Sequence, residues 1–202
     1  KEILSKCIET GNISHSYLFF GNSGIGKLKL AFEFAKKILN TKNLDSNPDF
    51  KLITKMPDKK DILVEQIRKE LIDDLYIVPA TGDRKVYIID DAELLNIAAQ
   101  NSLLKTLTTI LSRVNQITFE GITSDELKNY IYNKYDIIFN DNILEYLNGS
   151  IGKAEDVINN KLLEKFEMVD KLYDILSKSN TVEAIKYSSN INFANDDLLD
   201  YL

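Results

Sequence analysis

Three short apolar runs punctuate the first ninety residues, and each is bounded by polar or glycine-rich chain. Tyr17-Leu18-Phe19-Phe20, Phe50-Lys51-Leu52-Ile53 and Val86-Tyr87-Ile88-Ile89 are too short for helices and rich in aromatic or β-branched residues, which predicts buried strands. A further extended stretch is expected over 115–119. Between the runs the apolar positions recur at helical spacing. Ile3, Leu4, Cys7 and Ile8 mark a helix over 2–10, with Gly11 as its left-handed cap. A second helix is expected over 28–39. A third, over 61–76, has Ile62, Ile67, Leu71, Ile72 and Leu75 as its buried face. Asn96 can cap a helix starting near Ile97, with Leu103, Leu104 and Leu107 facing inward.

Beyond residue 120 the pattern is helical. Thr123-Ser124-Asp125-Glu126 reads as a capping box opening a helix to Tyr135, and a short helix over 141–148 is stopped by Gly149. Helical chain follows from Gly152, with turns near Asn180 and Asn190. Strands alternating with helices imply a parallel sheet covered by helices, so a boundary is expected near Gly121 between an α/β domain and helical chain.

Composition narrows the class. The 202 residues carry a net charge of −6, with 44% hydrophobic and 28% charged residues, which fits a globular chain of one or two domains and excludes disorder. One cysteine, Cys7, excludes a disulfide framework and a cysteine-based zinc module. No apolar run approaches membrane-spanning length. The acidic balance disfavours autonomous tight DNA binding, which needs basic clusters. The chain starts at Lys1 without a secretory segment, which suggests a reducing interior, although residues can precede Lys1. Lys and Arg total 25, yet only Arg68, Arg84 and Arg113 are arginine.

The chemistry concentrates in one motif. Gly21-Asn22-Ser23-Gly24-Ile25-Gly26-Lys27 fits the phosphate-binding pattern G-x-x-x-x-G-K and lies between a predicted strand and a predicted helix. Its glycines let backbone N–H groups converge, and Lys27 adds a point charge. The next position normally carries the Ser or Thr hydroxyl that binds Mg²⁺, and here it is Leu28, which cannot ligate a hard cation. Two readings follow: weak nucleotide binding without hydrolysis, or a relic that turns the chain. The relic is preferred because Leu28 also invites packing. Asp90 and Asp91, at the end of the third run, stand where a P-loop protein holds its metal, and are read in preference as solvated strand-end carboxylates. The one histidine, His15, is read as a packing or capping residue at the start of the first strand.

Several stretches in order resemble the bacterial DNA polymerase III clamp-loader subunits, over about residues 1–160. They are Ile13-Ser14-His15-Ser16-Tyr17-Leu18-Phe19-Phe20-Gly21 with Gly24-Ile25-Gly26-Lys27; Asn47-Pro48-Asp49-Phe50; the run from Arg84 to Glu93; the run from Gln100 to Leu107; Thr109-Ile110-Leu111-Ser112-Arg113; and Gly149-Ser150-Ile151-Gly152-Lys153-Ala154. The resemblance implies an AAA+ fold: a P-loop α/β domain over 1–120, a helical lid over 121–160, and the start of a helical collar over 161–202. Leu28 places the chain beside the delta-prime type, a non-catalytic stator that helps load the sliding clamp on primed DNA. An active gamma/tau-like ATPase is the alternative.

The implied site residues are Gly21, Gly24, Gly26, Lys27 and Asp90 for a degenerate nucleotide site. Arg113 is the implied arginine finger, acting on a neighbour's ATP. Lys153 replaces the lid's nucleotide-sensing arginine. No cofactor is required and no metal is expected; weak ATP or ADP binding is compatible. The implied partners are gamma/tau and delta subunits, the sliding clamp and primer-template DNA, in the cytoplasm and without a membrane. The family also has a strand and a polar sensor residue where Leu107 here runs directly into Thr108. Leu103 to Leu111 could form one continuous helix, but an absent segment is preferred, and its loss would remove a central strand.

Overall fold

The computed structural model describes residues 2–110 and 114–177 together with Tyr187. The chain divides into two compact units: residues 1–20 with 27–118, and residues 21–26 with 119–202.

In the first unit, α1 (Glu2–Glu9) precedes β1 (Tyr17–Phe20). Gly11 takes φ +68°, as a left-handed cap requires. Helix α2 (Lys27–Ile38) leads to β2 (Phe50–Ile53), and β3 (Val86–Ile89) is followed by a 3₁₀ turn, Ala92–Leu94. Helix α4 (Ile97–Ile110) and β4 (Asn115–Thr118) complete the unit. The three apolar runs are strands at the expected positions, but they are not the buried strands expected: only Ile53 among them is buried. The Asn96 side chain accepts from the N–H of Ala99 at 2.8 Å and so caps α4.

Three further expectations are corrected. The helix expected over 61–76 starts later and is composite: α3 (Val64–Ile67) runs into a π-helical segment, Arg68–Ile72, and a 3₁₀ turn, Asp74–Tyr76. Ile62 is buried, but it pairs with Leu95 in a parallel bridge and so sits outside the helix. Leu104 is 60% exposed rather than inward, whereas Leu103 packs on the core formed by Ile53, Ile62, Ile67, Leu71, Leu95 and Ala99. His15 is exposed and lies two residues before β1.

All described strand pairing is parallel, but the described strands form two separate pairs. Strand β1 pairs with β4 in the register Tyr17–Asn115 to Phe20–Thr118, and β2 pairs with β3 in the register Phe50–Val86 to Ile53–Ile89. No described strand bridges the two pairs. Helix α4 continues unbroken through Leu107 and Thr108 to Ile110, so the described residues between β3 and β4 supply no further strand. Parallel sheets are ordinarily covered on both faces. Here Leu18 and Phe20 of β1 and Leu52 of β2 are exposed.

Among the described residues the second unit is helical after Phe119: α5 (Ser124–Tyr135), α6 (Asp141–Leu147), α7 (Ile151–Asn159) and α8 (Leu163–Ser177). Thr123 and Glu126 form the expected capping box. Asn140 caps α6 and Ser150 caps α7. The core is built on Leu127, Ile131, Ile143, Leu147, Val157 and Phe166, with Phe166 fully buried. Lys134 binds Glu155 at 2.6 Å, and the hydroxyl of Tyr130 donates to the same carboxylate oxygen. The turns expected near Asn180 and Asn190 lie outside the described residues. No helix among the described residues is long and apolar enough to cross a membrane.

Candidate functional site

The glycine-rich segment 21–26 belongs to the second unit, and Lys27 opens α2 of the first. Gly21, Gly24 and Gly26 take φ values of +148°, +74° and +88°. At Gly24 the left-handed backbone alone favours glycine, and space excludes anything larger: a Cβ there would collide with the Ser150 hydroxyl and lie 3.0 Å from the Lys153 nitrogen. The loop is therefore strictly shaped, and part of that shape is set by α7. The N–H of Gly152 donates to the Gly24 carbonyl at 2.9 Å. The hydroxyl of Ser150 donates to the Ser23 carbonyl at 3.0 Å.

Leu28 is half-buried in the first turn of α2. Asp90 directly follows β3, and its N–H donates to the Ile53 carbonyl at 3.0 Å. Partial burial raises the Asp90 carboxyl above its usual range, with Asp91 and Glu93 pushing the same way and Lys27 opposing them. Lys27 thus acts electrostatically on Asp90 within the first unit. Asp91 is left-handed at φ 47°, a costly conformation for a non-glycine residue. Its carbonyl accepts from the N–H of Leu94 at 2.8 Å, which tightens the 3₁₀ turn.

Lys153 points its ammonium at the Tyr146 ring, 5.2 Å from the centroid, a cation–π contact inside the second unit. Arg113 lies outside the described residues. No group of three or more His, Cys, Asp or Glu side chains among the described residues could hold a metal ion.

Sequence reasoning passed over two features. Asp49 is buried, at 2% exposure, and accepts from Ala80 N–H (2.6 Å), Thr81 N–H (2.7 Å) and the Thr81 hydroxyl (2.6 Å). These bonds hold its carboxyl below the usual range. Beside it is a concavity of about 550 Å³ lined by residues that include Leu39, Asn40, Asn47, Thr81 and Arg84. An aspartate directly after Pro48 and ahead of an apolar run was the available signal for Asp49.

A family model described as "DNA polymerase III, delta subunit" matches residues 1–108, over half of the chain, and the chain belongs to that family. It is 26% identical over 211 positions to the DNA polymerase III subunit delta' of Bacillus subtilis, covering 87% of this chain and 63% of that protein. It is 30% identical over 110 positions to the delta' subunit of Pseudomonas aeruginosa, covering 46% of this chain and 33% of the relative. It is also 26% identical over 160 positions to a DNA polymerase III subunit gamma of Buchnera aphidicola, covering 71% and 44%. The chain thus spans between about a third and two thirds of these relatives' lengths. The Bacillus match runs over 211 positions but takes up only 87% of 202 residues, so that relative carries stretches with no counterpart here.

Proposed function

We propose that this chain is the delta-prime-type, non-hydrolysing subunit of a DNA polymerase III clamp loader, acting as a stator in a ring that loads the sliding clamp on primed DNA. The observation that carries this reading is Leu28. In a chain of this family, a complete glycine loop ends on a side chain that cannot bind Mg²⁺, so the metal-bridged phosphates needed for hydrolysis have no protein anchor there. The contact of Lys153 with Tyr146 supports the same reading, because that ammonium is engaged inside its own unit.

In this reading Gly21, Gly24, Gly26, Lys27 and Asp90 form a degenerate nucleotide site that admits weak ATP or ADP binding at most. The α/β unit acts as the AAA+ module, 121–160 as its lid and 161–202 as the beginning of a collar. Arg113 supplies a guanidinium to the ATP of a neighbouring gamma/tau-type subunit, and a delta-type subunit completes the ring. Clamp and primer-template DNA are reached through the complex, in the cytoplasm. The test is reconstitution with gamma/tau- and delta-type subunits. Arg113→Ala is expected to leave assembly intact and to slow turnover at the neighbouring site by about 10³-fold or more. Unchanged turnover removes the finger role.

A second reading, a nucleotide-binding gamma/tau-like ATPase, is favoured by the relatives named gamma and tau, which include the Escherichia coli tau subunit at 31% identity over 117 positions. Titration of the isolated chain with ATP separates the two. Tight, Mg²⁺-dependent binding with turnover supports the second, and its absence supports the first.

A further inference from the structure

The glycine-rich loop is fastened to α7 by its carbonyl side. Ser150, 1% exposed, caps α7 by accepting from the N–H of Lys153 at 3.1 Å, and the same hydroxyl donates to Ser23 O at 3.0 Å. Gly152 N–H donates to Gly24 O at 2.9 Å. The two backbones touch at glycines: a Cβ on Gly152 would lie 2.8 Å from both the Cα and the carbonyl oxygen of Gly24. A Cβ on Gly24 would strike Ser150 in turn. Gly152 lies in the first turn of α7, where helix propensity gives glycine no advantage over alanine, so the close contact with Gly24 is the structural reason for a glycine there.

A trans peptide group is planar, with its C=O and N–H pointing in opposite directions. The Ser23 carbonyl shares its plane with the N–H of Gly24, and the Gly24 carbonyl shares its plane with the N–H of Ile25. With both carbonyls turned to α7, those two N–H groups point away from it. The fastening therefore orders the donors that a phosphate would otherwise order.

We propose that α7 takes the place of bound nucleotide as the partner that holds this loop, a latch built on Gly24, Ser150 and Gly152 that keeps loop and helix together as one body when no nucleotide is present. The proposal deepens the reading of the loop as a degenerate site, and rests on it. It gives the retained glycines a present task, because both are needed for the contact whether or not phosphate ever binds. A subunit latched in this way does not change state with the nucleotide cycle, as a fixed member of a ring requires.

Hydrogen–deuterium exchange of the ligand-free full chain tests the latch, with inorganic pyrophosphate and Mg-ATP as probes. Gly152→Ala is the diagnostic variant, since alanine favours α7 itself and any loosening must come from the contact. The expected result is slow exchange over 21–26 and 151–153 in the wild type without ligand. Both segments should exchange at least about tenfold faster in Gly152→Ala, and in Ser150→Ala as a second variant. Pyrophosphate should add little protection to the wild-type loop. Fast wild-type exchange that slows only on adding pyrophosphate or Mg-ATP overturns the latch, as does a Gly152→Ala protein with unchanged exchange in both segments. Turnover of ATP by the isolated chain is scored separately: it ends the non-hydrolysing reading, and the exchange result still decides the latch.

Discussion

The Tyr87 hydroxyl donates a 2.6 Å hydrogen bond to Asp74, tying β3 to the 3₁₀ turn that ends the composite helix. Lys51 and Lys85 approach the same carboxylate at 2.9 and 3.0 Å, so β2, β3 and the helical segment meet on one aspartate. The hydrogen bond from Tyr87 and the two ammonium groups hold the Asp74 carboxyl far below the usual range. Burial, followed by the hydrogen bond to Asp74 and its charge, pushes the Tyr87 phenol far above its own range.

Tyr87→Phe is expected to cost about 1.5–3 kcal/mol, the range for a hydrogen bond to a charged group. Asp74→Ala should cost more, about 3–5 kcal/mol, because it leaves the largely enclosed Lys85 ammonium without its carboxylate. The pH dependence has two limits. The depressed Asp74 contributes stability that is present above the ordinary carboxylate value of about 3.9 and is lost as pH falls through its folded value. The raised Tyr87 contributes stability that is present below about pH 10 and is lost as pH rises through its folded value. Denaturant melts of wild type and Tyr87→Phe should therefore differ by a constant amount from about pH 5 to 9, with the difference shrinking as pH drops below about 4. A difference that varies steeply near neutrality would contradict this account.

A second prediction concerns Asp91, whose left-handed backbone carries no compensating glycine. Strain of this kind costs on the order of 1 kcal/mol, and substitution by glycine removes it. Asp91→Gly should raise the midpoint of unfolding if the residue has no further role. It should also lower the raised Asp90 carboxyl, because Asp91 is the largest charge pushing that group upward. Thermal melts and a carboxyl titration by NMR check the two parts.

Much of the fold is legible in the sequence, because its signals are local. Tyr17–Phe20, Phe50–Ile53 and Val86–Ile89 announce themselves as strands through short apolar runs, and Thr123 with Glu126 announces a helix start. The π-helical turn at Arg68–Ile72 is not legible, since a π turn and an α turn place Ile67, Leu71 and Ile72 on the same apolar face. Leu104 was misplaced because the pattern Leu103-Leu104 fits either side of the α4 stripe, and only the core around Ile53 and Ile67 decides which leucine enters. At the candidate site the glycine loop and its missing hydroxyl could be read directly. The mate of Gly24 could not, because Gly152 is 128 residues away in sequence and its only local trace is a glycine at an unfavourable helical position.

The core of the second unit offers a separate check on the two-unit division. Phe166 of α8 is fully buried and packs against Tyr146 of α6, with ring centroids 5.4 Å apart. Phe166→Ala should cost about 3–5 kcal/mol through lost burial and the cavity left behind. Exchange protection should fall over 124–159 and stay unchanged over β2 and β3, whose core is built on other residues. Equal loss across both regions would show one cooperative body instead of two.

The last prediction follows from the divided sheet. Each strand of β1–β4 and β2–β3 makes one described ladder, so each pair has the limited stability of a two-stranded element that relies on covering helices. Helix α4 runs straight to Ile110, and the Bacillus delta' protein carries stretches with no match in this chain. Strand edges left without a neighbour exchange quickly and invite other chains to pair with them. Amide exchange should therefore be faster at β1 and β3 than in the buried core of α5 and α6. The exposed Leu18 and Phe20 should promote self-association at high concentration. Replacing both with threonine keeps strand propensity and removes the apolar face. Light scattering of that double variant should show less association than the wild type, with far-UV circular dichroism unchanged. If association is unaltered, the β1 backbone and not its exposed face is the adhesive element, and a proline placed in β1 should abolish association where the threonines did not.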